Sequence, residues 1–120
     1  MEARAVRKHI RSSPRKMRTV VNLIRGKRVA EALNILQFMP HKVTRPVEIT
    51  LTSAVHNLRD KFRDERFDET ELLVSEVRVD EGPMFKRFQP VSRGRAHRIL
   101  KRTSHLTVTV STTTGKTDEA

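Results

Sequence analysis

Residues 82–105, GPMFKRFQPVSRGRAHRILKRTSH, place the strongest constraint on how this chain can fold. The segment contains seven Lys or Arg residues and no Asp or Glu. Its apolar residues follow neither a strand period nor a helix period. It therefore has little apolar surface to bury, and its charges repel one another in water. Such a segment is stable where negative charges surround it, so it predicts a polyanionic environment.

The rest of the chain also separates its charges. The 120 residues carry a formal net charge of +11, from 25 Lys or Arg and 14 Asp or Glu. Residues 1–28 hold ten basic residues and one acidic residue, whereas residues 60–81 hold nine acidic and four basic residues. Two basic segments thus flank a neutral and then acidic middle. This pattern predicts a bipolar protein that binds nucleic acid through one face.

Three segments predict helices. The first begins at Ser12-Ser13-Pro14, a serine N-cap followed by proline at the first helical position, and ends before Gly26. The second spans roughly residues 29–37 and ends before Pro40. The third and longest spans about residues 44–63, with Pro46 in its first turn. Two apolar stripes at helical spacing support the first and third helices: Met17, Val20, Val21 and Ile24, and then Val43, Val47, Leu51, Ala54, Val55, Leu58 and Phe62.

Three further segments predict strands. Residues 2–11 form a short first strand, and residues 72–79 alternate, with Leu73, Val77 and Val79 on one side and Val74 on the other. Residues 105–111 alternate as well, with Leu106, Val108 and Val110 inward and Thr107, Thr109 and Ser111 outward. More than 20 residues connect these last two strands, so the connection is either a loop that is disordered when free or a long hairpin arm. An arm of ten residues per strand would reach on the order of 30 Å.

Together these elements predict an α+β fold, in which three helices pack on a small antiparallel sheet and residues 82–104 form either a free loop or a long protruding β-hairpin. We expect residues 1–81 and 105–111 to form a globular domain. Residues 112–120 should form a disordered tail.

Nothing in the sequence indicates catalysis, a metal site or a cofactor. There is no cysteine, and the histidines lack metal-ligand spacing: His9, His41, His56, His97 and His105. Phosphate-binding and nucleophile motifs are missing too. The start has no apolar stretch typical of a signal peptide, and the apolar runs are too short to span a membrane. We therefore expect a cytoplasmic protein that is not an enzyme, has no membrane partner and forms no homo-oligomer.

Two other functions remain as alternatives. The first is a sequence-tolerant DNA-binding or nucleoid protein, which would need an oligomeric face and an element that reads a groove. The second is a peptide-like binder of anionic membranes, which would need a basic helix with large apolar residues opposite. Residues 14–37 are a poor match to a helix-turn-helix, because the second helix has no basic residue after Arg28. Contact with the RNA backbone and shape fits the charge pattern better.

Four stretches carry a resemblance to a known family: SSPRKMRTVVNLIRGKRVAEALNIL (12–36), SAVHN (53–57), VDEGPMFKRFQP (79–90) and GRAHRILKRTSHLTV (94–108). In this order they resemble the bacterial ribosomal protein L twenty-two family of the large subunit. The resemblance implies a domain bound to large-subunit ribosomal RNA. It further implies that residues 82–104 form an extended basic arm, a long protruding β-hairpin whose tip lines the nascent-peptide exit tunnel. It also implies a part in subunit assembly, neighbouring ribosomal proteins as partners, and a link between the hairpin and macrolide resistance or nascent-chain stalling.

The resemblance assigns roles to particular residues, and the density of basic charge adds Arg18 and Arg28 to the RNA-binding set. The RNA-binding set is Ser12, Arg15, Lys16, Arg18, Arg25, Lys27, Arg28, Lys86, Arg87, Arg98, Lys101, Arg102 and His105. The tunnel tip, which would meet the nascent peptide, is Val91, Ser92, Arg93, Gly94 and Arg95. The chain departs from the family pattern at Val91, where many members carry a basic residue, in the charged stretch 59–71, and in the tail after Ser111.

Overall fold

Three helices and five strands follow one another in a computed structural model that describes residues 2–63, 71–90, 94 and 96–112. The chain order is β1 (Glu2–Ile10), α1 (Pro14–Ile24), α2 (Val29–Phe38), α3 (Thr44–Lys61), β2 (Leu72–Glu81), β3 (Phe85–Pro90), β4 (Ala96–Lys101) and β5 (Ser104–Thr112). Strands β1, β5 and β2 form one antiparallel sheet in that order, and β3 and β4 form a second, two-stranded sheet. The predicted α+β fold with a β-hairpin is confirmed.

The first helix begins and ends as the sequence predicts. The Oγ of Ser13 accepts a hydrogen bond from the backbone N–H of Lys16 at 3.3 Å, and Pro14 is the first helical residue. Gly26 follows the C-cap residue with a φ of +79°, a left-handed conformation that glycine adopts without strain.

The core lies between the helices and one face of the three-stranded sheet. The four stripe residues of α1 are at most 1% exposed, and the stripe of α3 is buried from Val47 to Leu58. Val43 and Phe62, at the two ends of that stripe, are partly buried against the same core. Burial of these apolar side chains is the main force that holds the helices on the sheet.

Strand β2 differs from its predicted alternation. Leu72, Val74, Val77 and Val79 are all buried, whereas Leu73 is only half-buried. The prediction that Leu73 shares a side with Val77 and Val79, with Val74 on the other side, is therefore wrong. The cause is a β-bulge: Val74 pairs with Val110 and Glu76 with Thr109, which leaves one extra residue in β2. The extra residue shifts the phase of the alternation by one, so apolar residues on both sides of it reach the same core.

Strand β5 is more buried than its sequence indicates. Leu106, Val108 and Val110 point into the core as predicted, but Thr107 and Thr109 on the opposite face are only 6% and 9% exposed. Both threonines lie in the central strand, so side chains of β1 and β2 flank them on either side. The neighbouring side chains therefore cover these two threonines, although the sequence of β5 alternates.

The hairpin of β3 and β4, which we call the arm, extends from the three-stranded sheet. Its ladder runs from Phe85 paired with Lys101 to Pro90 paired with Ala96, and every residue of β3 is exposed. The principal extents of the structure are 67 × 25 × 24 Å. The tail after residue 112 lies outside the described residues.

Candidate nucleic-acid interface

A groove of about 1140 Å³ lies where the arm joins the domain. Its walls come from four places: the end of β1, the first turns of α1, the loop between α2 and α3, and the last residues of β4. We call it the root groove, and its cationic residues are Arg7, Lys8, Arg11, Lys16, Lys42, Lys101 and Arg102. His9 and His41 also line it. No Asp or Glu belongs to the described lining.

The electrostatics of the root groove favour a polyanion. Its cations converge from segments far apart in the chain, and a concave surface lined by one sign of charge focuses the electric field. Among the described residues, Arg102 alone of these cations has an acidic partner, since its guanidinium lies 3.7 Å from a carboxylate oxygen of Glu81. Both side chains are half-exposed, so this ion pair stabilises the fold very little and leaves Arg102 available.

A backbone irregularity in β1 shapes one wall of the root groove. Arg7 pairs with Leu106 and Ile10 with Ser104, so β1 carries one extra residue between these pairs. Within this bulge His9 has a φ of +59°, which is uncommon for a residue other than glycine. The bulge interrupts the pairing and redirects the side chains that follow it.

His105 of the predicted RNA-binding set supports this bulge. Its Nδ1 accepts a hydrogen bond from the backbone N–H of His9 at 3.1 Å. The two imidazole rings meet edge to face, with centroids 5.0 Å apart and an interplanar angle of 88°. In the structure His105 therefore positions the groove wall and is itself half-buried.

Ser12 lies at the bottom of the same wall. Its backbone oxygen accepts a hydrogen bond of 2.6 Å from the Oγ of Ser104, which ties the entry of α1 to the start of β5. The Oγ of Ser12 is buried and has no hydrogen-bond partner among the described residues.

At the root of the arm, the backbone of Gly82 lies very close to Thr103 and His105. Its N–H donates to the oxygen of Thr103 at 2.9 Å, and the Oγ1 of Thr103 donates to the oxygen of Pro83 at 2.6 Å. A Cβ at position 82 would collide with that Oγ1 and come within 3.0 Å of Cε1 of His105. Thr103 is only 1% exposed, and a shift of its Oγ1 would break the hydrogen bond to Pro83.

Gly82→Ala should therefore lower the free energy of unfolding by about 1–3 kcal/mol, measured by urea denaturation, because the new methyl group overpacks the root of the arm. Thr103→Ala removes the nearest atom. The double variant should therefore lose less free energy of unfolding than the sum of the losses in the two single variants. Strict additivity would contradict the predicted collision.

Arg18 and Arg25, both in the predicted RNA-binding set, contact the edge strand β2 instead of the root groove. The guanidinium of Arg18 donates to the oxygen of Val79 at 2.9 Å, and that of Arg25 to the oxygen of Val77 at 2.7 Å. Next to them, the N–H of Gly26 donates to the oxygen of Val74 at 2.9 Å. Helix α1 and its C-terminal turn thus cover backbone groups of β2 that could otherwise pair with another chain.

Arg25→Ala should lower the free energy of unfolding by about 1–2 kcal/mol, because a hydrogen bond from a charged donor to a strand carbonyl is lost. Adding Arg18→Ala should also increase aggregation, measured by light scattering, since the edge of β2 is then open. The matched control is Arg15→Ala on the exposed face of α1, which should change stability by no more than about 0.5 kcal/mol. Equal effects at positions 15 and 25 would contradict this role.

The remaining predicted residues of the domain lie after α1. Lys27 is half-buried, and its Nζ lies 3.8 Å from Oε1 of Glu31. The oxygen of Lys27 also accepts from the N–H of Val74 at 2.9 Å. Arg28 is exposed at the N-cap of α2 and pairs with Leu73 of β2 through an isolated bridge. Both residues are separated from the cations that line the root groove.

On the arm, Lys86 and Arg87 are exposed on β3, and the guanidinium carbon of Arg87 lies 5.8 Å from the centroid of the Phe85 ring. Arg98 pairs with Phe88 through the backbone, and its side chain lies outside the described part of the chain. At the predicted tip, Gly94 is exposed with a φ of +68°. The other four tip residues lie outside the described residues: Val91, Ser92, Arg93 and Arg95.

The structure brings together four members of the predicted RNA-binding set in the root groove, namely Ser12, Lys16, Lys101 and Arg102. It adds six basic or histidine residues to the lining that were not predicted, namely Arg7, Lys8, His9, Arg11, His41 and Lys42. The first four belong to the basic N-terminal segment, so its charge balance could have indicated them. His41 and Lys42 lie in the nearly neutral middle of the chain, where no local signal marks them.

The described residues contain no cluster of three or more potential metal ligands. Within the same residues, no helix is long and apolar enough to cross a bilayer.

Comparison with known proteins gives a consistent result. Residues 5–111 match a family model described as "Ribosomal protein L22p/L17e". The chain is 57% identical over 120 residues to a protein of Salinibacter ruber named "Large ribosomal subunit protein uL22", a match that covers 100% of this chain and 98% of the relative. It is 49% identical over 117 residues to the protein of the same name from Bifidobacterium longum, covering 96% of this chain and 98% of that relative.

Proposed function

The chain belongs to the ribosomal protein L22 family of the large ribosomal subunit, and from this we propose that it binds large-subunit ribosomal RNA in the cytoplasmic ribosome. The family consists of structural proteins and not of enzymes. The observation that supports RNA binding most strongly is the root groove, where seven cations converge without an acidic residue in the described lining. Neutralising RNA phosphates there would release condensed counterions, which drives binding without reading bases.

The arm would continue this contact away from the domain. All of β3 is exposed, its cations Lys86 and Arg87 point away from any described core, and residues 82–105 contain no acid. A two-stranded hairpin is only marginally stable in water, so surrounding phosphates would supply the missing stabilisation. The arm would thus be held in a path through folded RNA, and contact by both arm and domain would join RNA segments during subunit assembly.

The tip of the arm, residues 91–95, would line the nascent-peptide exit tunnel and meet the nascent peptide. What supports this is the family membership together with the paired strands of the arm, which run from Phe85 and Lys101 at the root to Pro90 and Ala96. Neighbouring ribosomal proteins would complete the site.

Deletion of Phe85, Lys86 and Arg87 tests the position of the tip. The register of the hairpin would shift by three residues on one strand and move the tip, while the domain and the groove walls from β1, α1 and the α2–α3 loop stay intact. We expect altered macrolide sensitivity of cells that carry only this variant, with nearly normal incorporation into large subunits. An equal deletion of residues 113–115 is the control. Unchanged macrolide sensitivity in the arm deletion would contradict a tunnel position.

A further inference from the structure

Among the described side chains of the arm, Phe88 has the most exposed aromatic ring. It is 70% exposed, compared with 42% for Phe85 on the same strand. No element of the domain covers it, since all of β3 is exposed. A ring exposed to this extent offers apolar area to a partner, and its burial on binding would be favourable.

The two phenylalanines of β3 differ in what lies against them. The guanidinium of Arg87 lies over the ring of Phe85, with its carbon 5.8 Å from the centroid, a geometry typical of a cation–π contact. No side chain that the structure describes makes a ring contact or a cation contact with Phe88. Side chains alternate along a strand, so Phe88 and Phe85 lie on opposite faces of the arm. The face that carries Phe88 therefore offers an open aromatic ring.

The surroundings of Phe88 are cationic. Lys86 lies two residues away on the same face and is exposed. Leu100, which pairs with Lys86 across the arm, is 41% exposed. We propose that Phe88 stacks on an unpaired nucleobase of the bound RNA, with Lys86 beside the phosphate of the same strand. This inference rests on the proposed function and adds a contact to a base where the root groove supplies contacts to phosphates.

The chemistry favours an unpaired base. Bases within an A-form duplex are stacked on one another, and the deep, narrow major groove does not admit side chains, whereas unpaired bases stack on aromatic rings. Such stacking needs no particular base, because every base has a π face. A protein partner would have to place apolar groups against a surface with positive charge and no acid in residues 82–105, so the charge balance favours RNA.

The test uses the full chain and large-subunit ribosomal RNA. Phe88→Leu keeps the apolar volume and removes the π face, and it should weaken binding by on the order of tenfold. Phe88→Tyr keeps the ring and should bind nearly as the unsubstituted protein does. Phe38→Leu is the matched control, since Phe38 at the end of α2 is 80% exposed but lies outside the basic segments, and it should leave affinity unchanged.

Short-wave ultraviolet irradiation of assembled large subunits supplies a second readout. Stacking predicts a covalent adduct between Phe88 and a base that is unpaired in the folded RNA. An adduct with a neighbouring protein, or with a paired base, would overturn the proposal. Equal affinity of Phe88→Leu and the unsubstituted protein would also overturn it. In that case, if replacing the lysines of the root groove with Gln still lowered the affinity for RNA, the proposed RNA binding would hold and only the stacking of Phe88 would be wrong.

Discussion

Replacing Lys16, Lys42 and Lys101 together with Gln should weaken binding to large-subunit ribosomal RNA on the order of 500-fold at roughly 0.1 M salt. The three lysines come from α1, the α2–α3 loop and β4, and all of them line the root groove. If each contacts one phosphate, each contributes about 0.9 to the slope of log K against log salt, so the slope should fall by about 2.7. Affinity measured over a salt series gives both quantities.

The matched control removes the same charge elsewhere. Arg45, Arg63 and Arg78 each lie within 4 Å of an acidic side chain and outside the root groove. Their combined replacement with Gln should leave the salt slope almost unchanged, because these cations are not expected to meet phosphates. If both triple variants lose the same affinity, then net charge accounts for binding and the root groove is not the site.

Leu51→Ala should lower the free energy of unfolding by about 2–5 kcal/mol. Leu51 is 0% exposed in the middle of α3, where the helix packs on the sheet, and truncation leaves a cavity that the surrounding core fills only in part. For a domain with a total stability of about 5–15 kcal/mol, this is a large fraction. Urea denaturation of the isolated protein measures it.

Two comparisons make the Leu51 prediction specific. Leu51→Met conserves volume and should cost less than about 1.5 kcal/mol. Leu23→Ala, on the exposed side of α1 at 46% exposure, should cost about 1 kcal/mol or less. Ribosomal RNA should raise the melting temperature of Leu51→Ala, because a ligand that binds only the native state stabilises it by mass action. A Leu23 effect as large as that at Leu51 would contradict the placement of the core.

The helices were predictable because their signals are local. The N-cap at Ser13, the proline after it and the glycine at position 26 each mark a boundary within a few residues. The stripes of α1 and α3 repeat over several turns, and a helix has to bury such a stripe somewhere. The structure places their ends within two residues of the expected positions.

The bulges were not predictable from the same patterns. Alternation in residues 72–79 assumes a regular strand, and one extra residue in β2 reverses which side faces the core. No residue pattern around Ser75 predicts the bulge, because the bulge depends on how β2 pairs with β5. The bulge at His9 is similar, because the imidazole that supports it comes from residue 105. Features set by contacts between distant segments leave little trace in either segment alone.

The candidate site was predictable in part for the same reason. Charge density identified the N-terminal segment and the arm, which supply most of the root groove. Lys42 was not predicted, because the segment that contains it is nearly neutral. Arg18 and Arg25 have the opposite character: their charge suggests RNA, but their guanidinium groups donate to carbonyls of β2. A count of charges does not distinguish a cation that meets phosphate from one that holds an edge strand.

In-cell ultraviolet crosslinking of the tagged protein, with the bound RNA sequenced and the crosslinked peptides mapped, tests the central claim most directly. The account predicts crosslinks concentrated on large-subunit ribosomal RNA. They should map to peptides that line the root groove, such as those containing Lys16 and Lys42, and to the arm at residues 85–102. Crosslinks spread over many RNAs, or found mainly on DNA, would contradict specific binding to ribosomal RNA through this surface.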